Sequence, residues 1–520
     1  MNIADSLRAS ATRLPDKAAL LFQDVRISYA SLDARADAAA ALLQSCGLHP
    51  GDRLALVLGN VPQFVEALYG ALRAGMVVVP INAGSTAEEL AHVLSDSGAR
   101  AAVVGSTAAP ALAAARALAA ARAGAGSLET VFVVGAAADS AGTRSWRRAI
   151  DDATNTPPLP VDVPQAQSPS EDAPVGLALL SYTSGSMGQP KGAKLSHANL
   201  LANQRQMGLT LLEVEERDVV LCALPLFHIY GLNVALAPAL ARGATVLLVE
   251  RFHPSDALAR IAAQRASVIV GTPPMYVAWI NTPGWDGYDL ASVRIAVSGA
   301  AALPAAAFER FRDAFDICIW EGYGLTETAP VLTSTAMGAT PAPGSVGRPL
   351  PEVEVRLLDE GGRPVPRGDP GEVVVRGPNV FSGYWGQPAA TAEVLGADGW
   401  FRTGDIGYVE GGNLYLVDRK HDLIVVSGFN VYPREVEDVL HAHPKVAEAA
   451  VIGSPHPYTG EAVKAVVVLR HGEEASAEEL IGHCRTRLAR FKCPEVVDFA
   501  AELPRLPSGK LKRRALRVLR

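Results

Sequence analysis

Short uninterrupted apolar runs alternate with longer stretches in which apolar residues recur every three or four positions. Residues 54–58, 76–80 and 101–104 are runs of the buried-strand kind. Between the first two, Val65, Leu68 and Leu72 share one helical face. Asn60 is placed to cap that helix, Pro62 suits its first turn and Gly75 stands at its end. Ser85 and Glu88 have the spacing of a capping box for the next helix. This rhythm predicts an α/β fold, a mostly parallel sheet covered by helices. The Ala-rich stretch 107–126, with Arg116 and Arg122, reads as a solvent-side helix, and 155–174, rich in Pro, Ser and Asp, as a loop or joint. A second α/β stretch runs on to about residue 340.

The pattern then changes twice. Over 345–418, short apolar runs at 353–358, 372–375 and 414–417 are separated by Gly and Pro, which predicts a small antiparallel β unit. Beyond Arg419, Val436, Val439 and Leu440 form a helical stripe, strands follow at 449–452 and 462–469, and Ser476 with Glu479 caps another helix. The expected domains are therefore 1–419 and a smaller α+β unit at 420–520.

Composition narrows the class. With 49% hydrophobic and 19% charged residues the chain is not disordered, and 520 residues suffice for several cores. A net charge of −7 argues against a general nucleic-acid partner. The five cysteines are scattered without a CxxC pair, so neither a zinc ribbon nor a disulfide framework is indicated, which suits the cytoplasm. The first residues lack a secretory signal, and the apolar run 234–249 is broken by Pro238, Arg242 and Gly243, so no integral membrane segment is expected. His441 and His443 lack a third ligand at useful spacing and read as solvated.

The sharpest chemistry lies at 181–192, Ser-Tyr-Thr-Ser-Gly-Ser-Met-Gly-Gln-Pro-Lys-Gly. It follows a strand candidate at 175–180 and precedes a helical segment starting near Ser196. Gly185, Gly188 and Gly192 let backbone N–H groups approach an anion; Thr183, Ser184 and Ser186 add hydroxyls and Lys191 a positive charge, the set a polyphosphate needs. It is not a Walker loop: Pro190 and Gly192 stand where that pattern has Gly and Ser/Thr. Alone, such a loop also reads as a surface turn.

This loop resembles the signature of the adenylate-forming enzymes, which include acyl-CoA synthetases, peptide-synthetase adenylation domains and luciferases. Ser186 and Met187 replace the paired threonines of that signature. Four further segments resemble family motifs in the family's order: 224–231 around His228, 321–328 (Glu-Gly-Tyr-Gly-Leu-Thr-Glu-Thr), 399–407 with Asp418 and Arg419, and 504–510 ending in Lys510. The resemblance spans nearly the whole chain. It implies two large α/β subdomains, a small β-barrel-like subdomain and a mobile α+β domain at the C-terminal end.

It also implies roles. ATP would be held by the loop and by Ala300, Ala301, Glu321, Gly322, Tyr323, Asp405 and Arg419, with Tyr323 against adenine and Asp405 on the ribose. Glu327 would hold Mg²⁺, which prefers carboxylate oxygen. Thr326 would meet the α-phosphate, and Lys510 would bridge the attacking carboxylate and that phosphate. His228 would border an acyl pocket walled by Tyr230, Gly231, Leu232, Val234 and Val331. Each residue also has a plain structural reading; Tyr323 suits a core, Asp405 a turn, and Lys510 a basic tail. The implied reaction makes acyl-AMP and pyrophosphate, then a thioester and AMP. The small domain would turn between the steps about His421, whose imidazole would make the hinge pH-sensitive. Ser427, Gly428 and Phe429 would line the passage for coenzyme A. No amino-acid-gripping aspartate stands among the pocket candidates, so a hydrophobic acid, fatty or aryl, is the expected substrate. Free coenzyme A is the expected acceptor, with an acyl carrier protein the alternative. A monomer or homodimer is expected. The competing class is a catalytically silent nucleotide-binding scaffold.

Overall fold

The computed structural model describes residues 2–121, 128–135, 142–154, 176–183, 190–419, 424–426, 429–456, 460–488, 490–505 and 511–516. The joint expected at 155–174 lies outside them.

Two large sheets carry the first part of the chain. A seven-stranded sheet runs in the order Arg144–Ser145, Thr130–Val134, Ala101–Gly105, Arg53–Val57, Val77–Ile81, Leu177–Thr183, Lys191–Ser196. All neighbours are parallel except the last pair. The three runs read from sequence are its central strands, buried on both faces as parallel strands between helices must be. A nine-stranded sheet has the parallel strands Ile319–Gly324, Ile295–Ser298, Val268–Gly271, Val219–Cys222 and Thr245–Leu248 at its centre. Its edge is the hairpin Ala18–Phe22 and Val25–Ser28, paired through Leu20 opposite Val246. The amino-terminal hairpin thus belongs to the second sheet, which local periodicity does not reveal.

Two caps differ from expectation. The box closes on Thr86 and Glu89, one residue later than Ser85 and Glu88. Asn60 does not cap the helix Pro62–Arg73. It is buried, donates Nδ2 to the carbonyls of Leu224 and Val249, and accepts from Leu226 N–H at 2.8 Å. The side chain instead ties the first sheet's loops to the second, where three backbone groups would otherwise lack partners.

The β unit is a four-stranded antiparallel sheet, Glu354–Leu358, Gly371–Arg376, Phe401–Glu410 and Asn413–Arg419, in chain order. The last part of the chain forms its own sheet, with Val446–His456 and Gly460–Leu469 paired along their length, and its own apolar core of Val436, Leu440, Val451, Val467 and Leu480. The Ser476 cap is present, accepting from Glu479 N–H at 3.2 Å. His443 is buried, not solvated; its ring packs edge-on against His483, and Nε2 lies 3.5 Å from Glu479.

Candidate active site

Thr183 and Lys191 face each other across an antiparallel pair, so the Gly-rich segment springs from the end of a hairpin. Residues 184–189, with Ser184, Gly185, Ser186 and Gly188, lie outside the described residues. A strand, Lys191–Ser196, intervenes before the helix His197–Met207, whose cap is Ser196. Two lysines hide this strand's alternation; tertiary pairing fixes it, through Leu177–Thr183 on one side and a bridge from Ala193 to Tyr384 on the other. Gly192 packs closely, and a Cβ there would sit 3.1 Å from the Tyr182 ring. Tyr182 donates to Asp96 at 2.6 Å.

The strand Ile319–Gly324 delivers Glu321, Gly322 and Tyr323, and a tight turn, Thr326–Thr328, follows. A Cβ on Gly324 would lie 1.7 Å from the Pro330 carbonyl, so only glycine lets the chain fold back here. Tyr323 donates its hydroxyl to Asp405 Oδ2 at 2.6 Å, joining the adenine and ribose candidates directly. Asp405 is 5% exposed and faces Arg419 in the strand register; the Arg419 side chain is not among those described. Glu327 is 7% exposed, and its Oε1 accepts from the Tyr384 hydroxyl at 2.9 Å. A buried carboxylate held in a fixed orientation is an oxygen donor suited to Mg²⁺.

Burial pushes the Glu321 carboxyl up to about 7, against the opposing pull of the Leu303 N–H and the Arg434 charge. A carboxyl that binds its proton more tightly when folded makes stability fall as pH rises from its ordinary 4.5 to about 7. Glu321→Gln is therefore expected to flatten that arm of the pH–stability curve. Urea unfolding at about pH 5 and about pH 7.5 checks it; an unchanged slope would show that Glu321 is not the group.

On the acyl side, Tyr230 is buried and donates to the Gly271 carbonyl at 3.1 Å. Gly299 makes room for it, since a Cβ there would approach the ring to 2.9 Å. Gly231 packs against the Pro225 carbonyl, which a Cβ would meet at 2.5 Å. Gly231–Leu236 is a π-helical turn that carries Leu232 and Val234; such turns occur often at functional sites. His228 Nδ1 accepts from Tyr230 N–H at 3.2 Å, so a neutral imidazole carries its proton on Nε2. Asn233 reaches the Ala329 carbonyl at 2.6 Å, and Val331 is bracketed by Asn203, linking this wall to the Glu327 turn.

A cleft of about 950 Å³ separates the large part of the molecule from the C-terminal unit. Ala300, Ala301, Arg310 and Asp405 line it on one side, and Arg434, Glu437, Arg470, Arg505, Leu511, Lys512 and Arg513 on the other. Its lining holds six Lys or Arg (Arg310, Arg434, Arg470, Arg505, Lys512, Arg513) against three carboxylates (Asp405, Glu437, Glu448), so it is locally cationic in a chain of net charge −7. Ala300 holds φ at 68°, an unfavourable value for a residue with a Cβ, in the turn that enters the cleft. Arg505 bridges Leu511, and Lys512 N–H donates to Pro504 O at 2.8 Å. Lys510, His421, Ser427 and Gly428 lie outside the described residues; Phe429 opens the strand Phe429–Val431. Arg434 crosses the cleft to donate to Leu416 O at 2.9 Å and Gly344 O at 3.5 Å.

The structure thus brings Tyr323 to Asp405, and Ala300, Ala301 and Asp405 into one cleft with Leu511, Lys512 and Arg513. Tyr384, Asn233, Arg434 and Arg513 escaped the sequence reading. Their partners are distant in the chain, and no local pattern marks a tyrosine that will hold a carboxylate.

Residues 7–385 match the model of the AMP-binding enzyme family, and 435–510 that of the AMP-binding enzyme C-terminal domain. The chain belongs to the AMP-binding enzyme family. It is 39% identical over 503 residues to a feruloyl-CoA synthase of Amycolatopsis sp, covering 96% of this chain and 94% of that one. It is 35% identical over 529 residues to a long-chain-fatty-acid–CoA ligase of Bacillus subtilis (strain 168), covering 98% and 93%. A solved anthranilate CoA ligase in complex with anthranoyl-AMP superposes with a TM-score of 0.89 at 26% identity, over 99% of this chain and 96% of that one.

Proposed function

We propose that the protein is an ATP-dependent acid–CoA ligase acting through an acyl-AMP intermediate on a hydrophobic fatty or aryl acid. The observation that carries this is the cationic cleft in which Ala300, Ala301 and Asp405 face Leu511, Lys512 and Arg513. A triphosphate and a carboxylate repel each other, and a cation-lined cleft between two chain segments is where they can meet. Fatty-acid and aryl-acid CoA ligases among the relatives favour this substrate range and coenzyme A as acceptor.

In the first step a carboxylate oxygen of the acid attacks the α-phosphorus, the bond to the β-phosphate oxygen breaks, and pyrophosphate leaves. Thr183, Lys191 and the loop after Thr183 would hold the β and γ phosphates, and Thr326 the α-phosphate. Asp405 would accept from ribose hydroxyls, oriented by Tyr323. Glu327 would hold Mg²⁺, whose charge offsets that of the departing pyrophosphate. Lys510 would sit on the oxygens that gain charge. In the second step the thiol attacks the acyl carbonyl and AMP leaves. Ser427, Gly428 and Phe429 would guide the thiol arm once the small domain has turned about His421. Tyr230, Leu232, Val234 and Val331 offer only apolar bulk to the acid's tail, with Gly231 giving the wall room to turn. All five thiols are free, which suits a reducing cytoplasm. Among the described residues no helix is long and apolar enough to cross a membrane.

A panel of benzoate, ferulate, octanoate, palmitate and glycine, scored by pyrophosphate release with and without coenzyme A, tests this. Acid-dependent release by the hydrophobic acids and coenzyme-A-dependent thioester are expected. Absence of acid-dependent ATP consumption across the panel would reject the reading, and thioester formed only on a phosphopantetheinylated carrier would replace the acceptor.

A further inference from the structure

We infer that Tyr384 is a positioning residue for the first half-reaction, holding the Glu327 carboxylate with its hydroxyl and the Lys191 ammonium with its ring; this rests on the reading of Glu327 and Lys191 given above. The side chain is 8% exposed. Its hydroxyl donates to Glu327 Oε1 at 2.9 Å, and Lys191 Nζ stands 5.2 Å from the ring centroid. One phenol therefore touches the carboxylate assigned to the metal and the cation assigned to the phosphates.

The backbone around Tyr384 makes the same connection. Before it, Asn379 donates Nδ2 to the Thr328 carbonyl at 2.8 Å, and Phe381 N–H donates to the Glu327 carbonyl at 2.8 Å. After it, Trp385 N–H donates to the Gly192 carbonyl at 2.8 Å, and Lys194 N–H to the Gly383 carbonyl at 3.0 Å. The segment is thus fastened at one end to the turn bearing Glu327 and at the other to the strand bearing Lys191. Phe381 packs edge-on against the Tyr384 ring at 5.0 Å, fixing its plane.

The phenols of Tyr230 and Tyr276 each place the hydroxyl on a backbone carbonyl, of Gly271 and Val297, and that of Tyr182 on the half-buried Asp96. Tyr384 instead spends it on a buried carboxylate, the arrangement Tyr323 makes with Asp405. A hydroxyl donor to a carboxylate is stronger than one to a neutral acceptor, and an ammonium over an aromatic face is attracted to it. Both interactions fix where charge sits before ATP arrives, which is where preorganisation lowers a barrier.

The test compares Tyr384→Phe, which keeps ring and packing but loses the hydroxyl, with Tyr384→Leu, which loses both. Binding of ATP is measured by calorimetry over a Mg²⁺ titration. ATP–pyrophosphate exchange is measured with whichever of ferulate or palmitate the panel selects. Thioester formation is measured from the matching preformed acyl-AMP and coenzyme A. For Tyr384→Phe we expect roughly tenfold more Mg²⁺ to half-saturate ATP binding, a similar loss of exchange, and thioester formation from acyl-AMP within about twofold, in keeping with one lost bond to a charged group. Tyr384→Leu should further weaken ATP binding at saturating Mg²⁺. An unshifted Mg²⁺ dependence in Tyr384→Phe, or equal losses in both half-reactions with a lowered melting temperature, overturns the inference. Glu327→Gln run in parallel separates the two readings. A shift in that variant alone rejects Tyr384 and keeps Glu327, whereas no shift in either rejects the metal role on which the inference stands.

Discussion

Lys510→Ala is expected to cut acyl-AMP formation by about a hundredfold or more while leaving thioester formation from supplied acyl-AMP within a few-fold. The flanking residues carry the argument. Arg505 pairs with Leu511, and Leu511, Lys512 and Arg513 stand in the cleft wall opposite Asp405. Two of the cations on that side are already committed: Arg513 binds Glu437 at 2.6 Å and Arg505 binds Glu448 at 2.8 Å. Lys510 ends the motif 504–510 in the sequence, between Arg505 and Leu511, and a lysine ammonium on its long stem can follow charge as it builds on the reacting oxygens. The second half-reaction has no α-phosphate under attack and should not need it. Pyrophosphate exchange and single-turnover thioester formation, measured on one preparation, give the split. Equal loss in both steps, or none in the first, would remove Lys510 from the chemistry.

Glu327→Gln should be nearly as damaging, on the order of a hundredfold in exchange, with a raised Mg²⁺ requirement. The substitution keeps size and an oxygen for the Tyr384 hydroxyl, so the turn Thr326–Thr328 should persist. What is lost is the negative charge, and a hard dication binds a neutral amide oxygen far less well than a carboxylate. AMP, which needs no metal, should bind as before. A variant that saturates with Mg²⁺ like the wild type would show that the carboxylate serves only to hold Tyr384.

Much of the architecture was legible because it is written in local periodicity. The runs at 54–58, 76–80 and 101–104 fall on the buried parallel strands Arg53–Val57, Val77–Ile81 and Ala101–Gly105, and their shortness distinguishes them from helices. The Ser476 cap is local chemistry and is present. What escaped reading depends on partners far along the chain. Asn60 has the right residue type and spacing for a cap, but three backbone groups from the second sheet claim its amide. The strand Lys191–Ser196 carries lysines three apart, on opposite faces, which breaks its alternation, and it exists because neighbours on each side pair with it. In the site, Tyr323, Glu327 and Asp405 stood out by motif, whereas the tyrosine contacts that orient the two carboxylates are long-range pairings. His443 reads as polar and is buried, because His483 and Glu479 from a later helix close over it.

The placement of the hairpin Ala18–Ser28 bears on how the chain is made. Thr245 Oγ1 donates to the Ala18 carbonyl, a contact spanning 227 residues. The strand Ala18–Phe22 thus has its docking edge on a strand synthesised more than 200 residues later. Until Thr245–Leu248 emerges, the sticky edge of Ala18–Phe22 must be kept from pairing elsewhere. Late closure of so long a loop makes assembly of that sheet slow relative to the first. Changes just ahead of Ala18 therefore act at the seam of a sheet whose strands beyond the hairpin lie between residues 219 and 349.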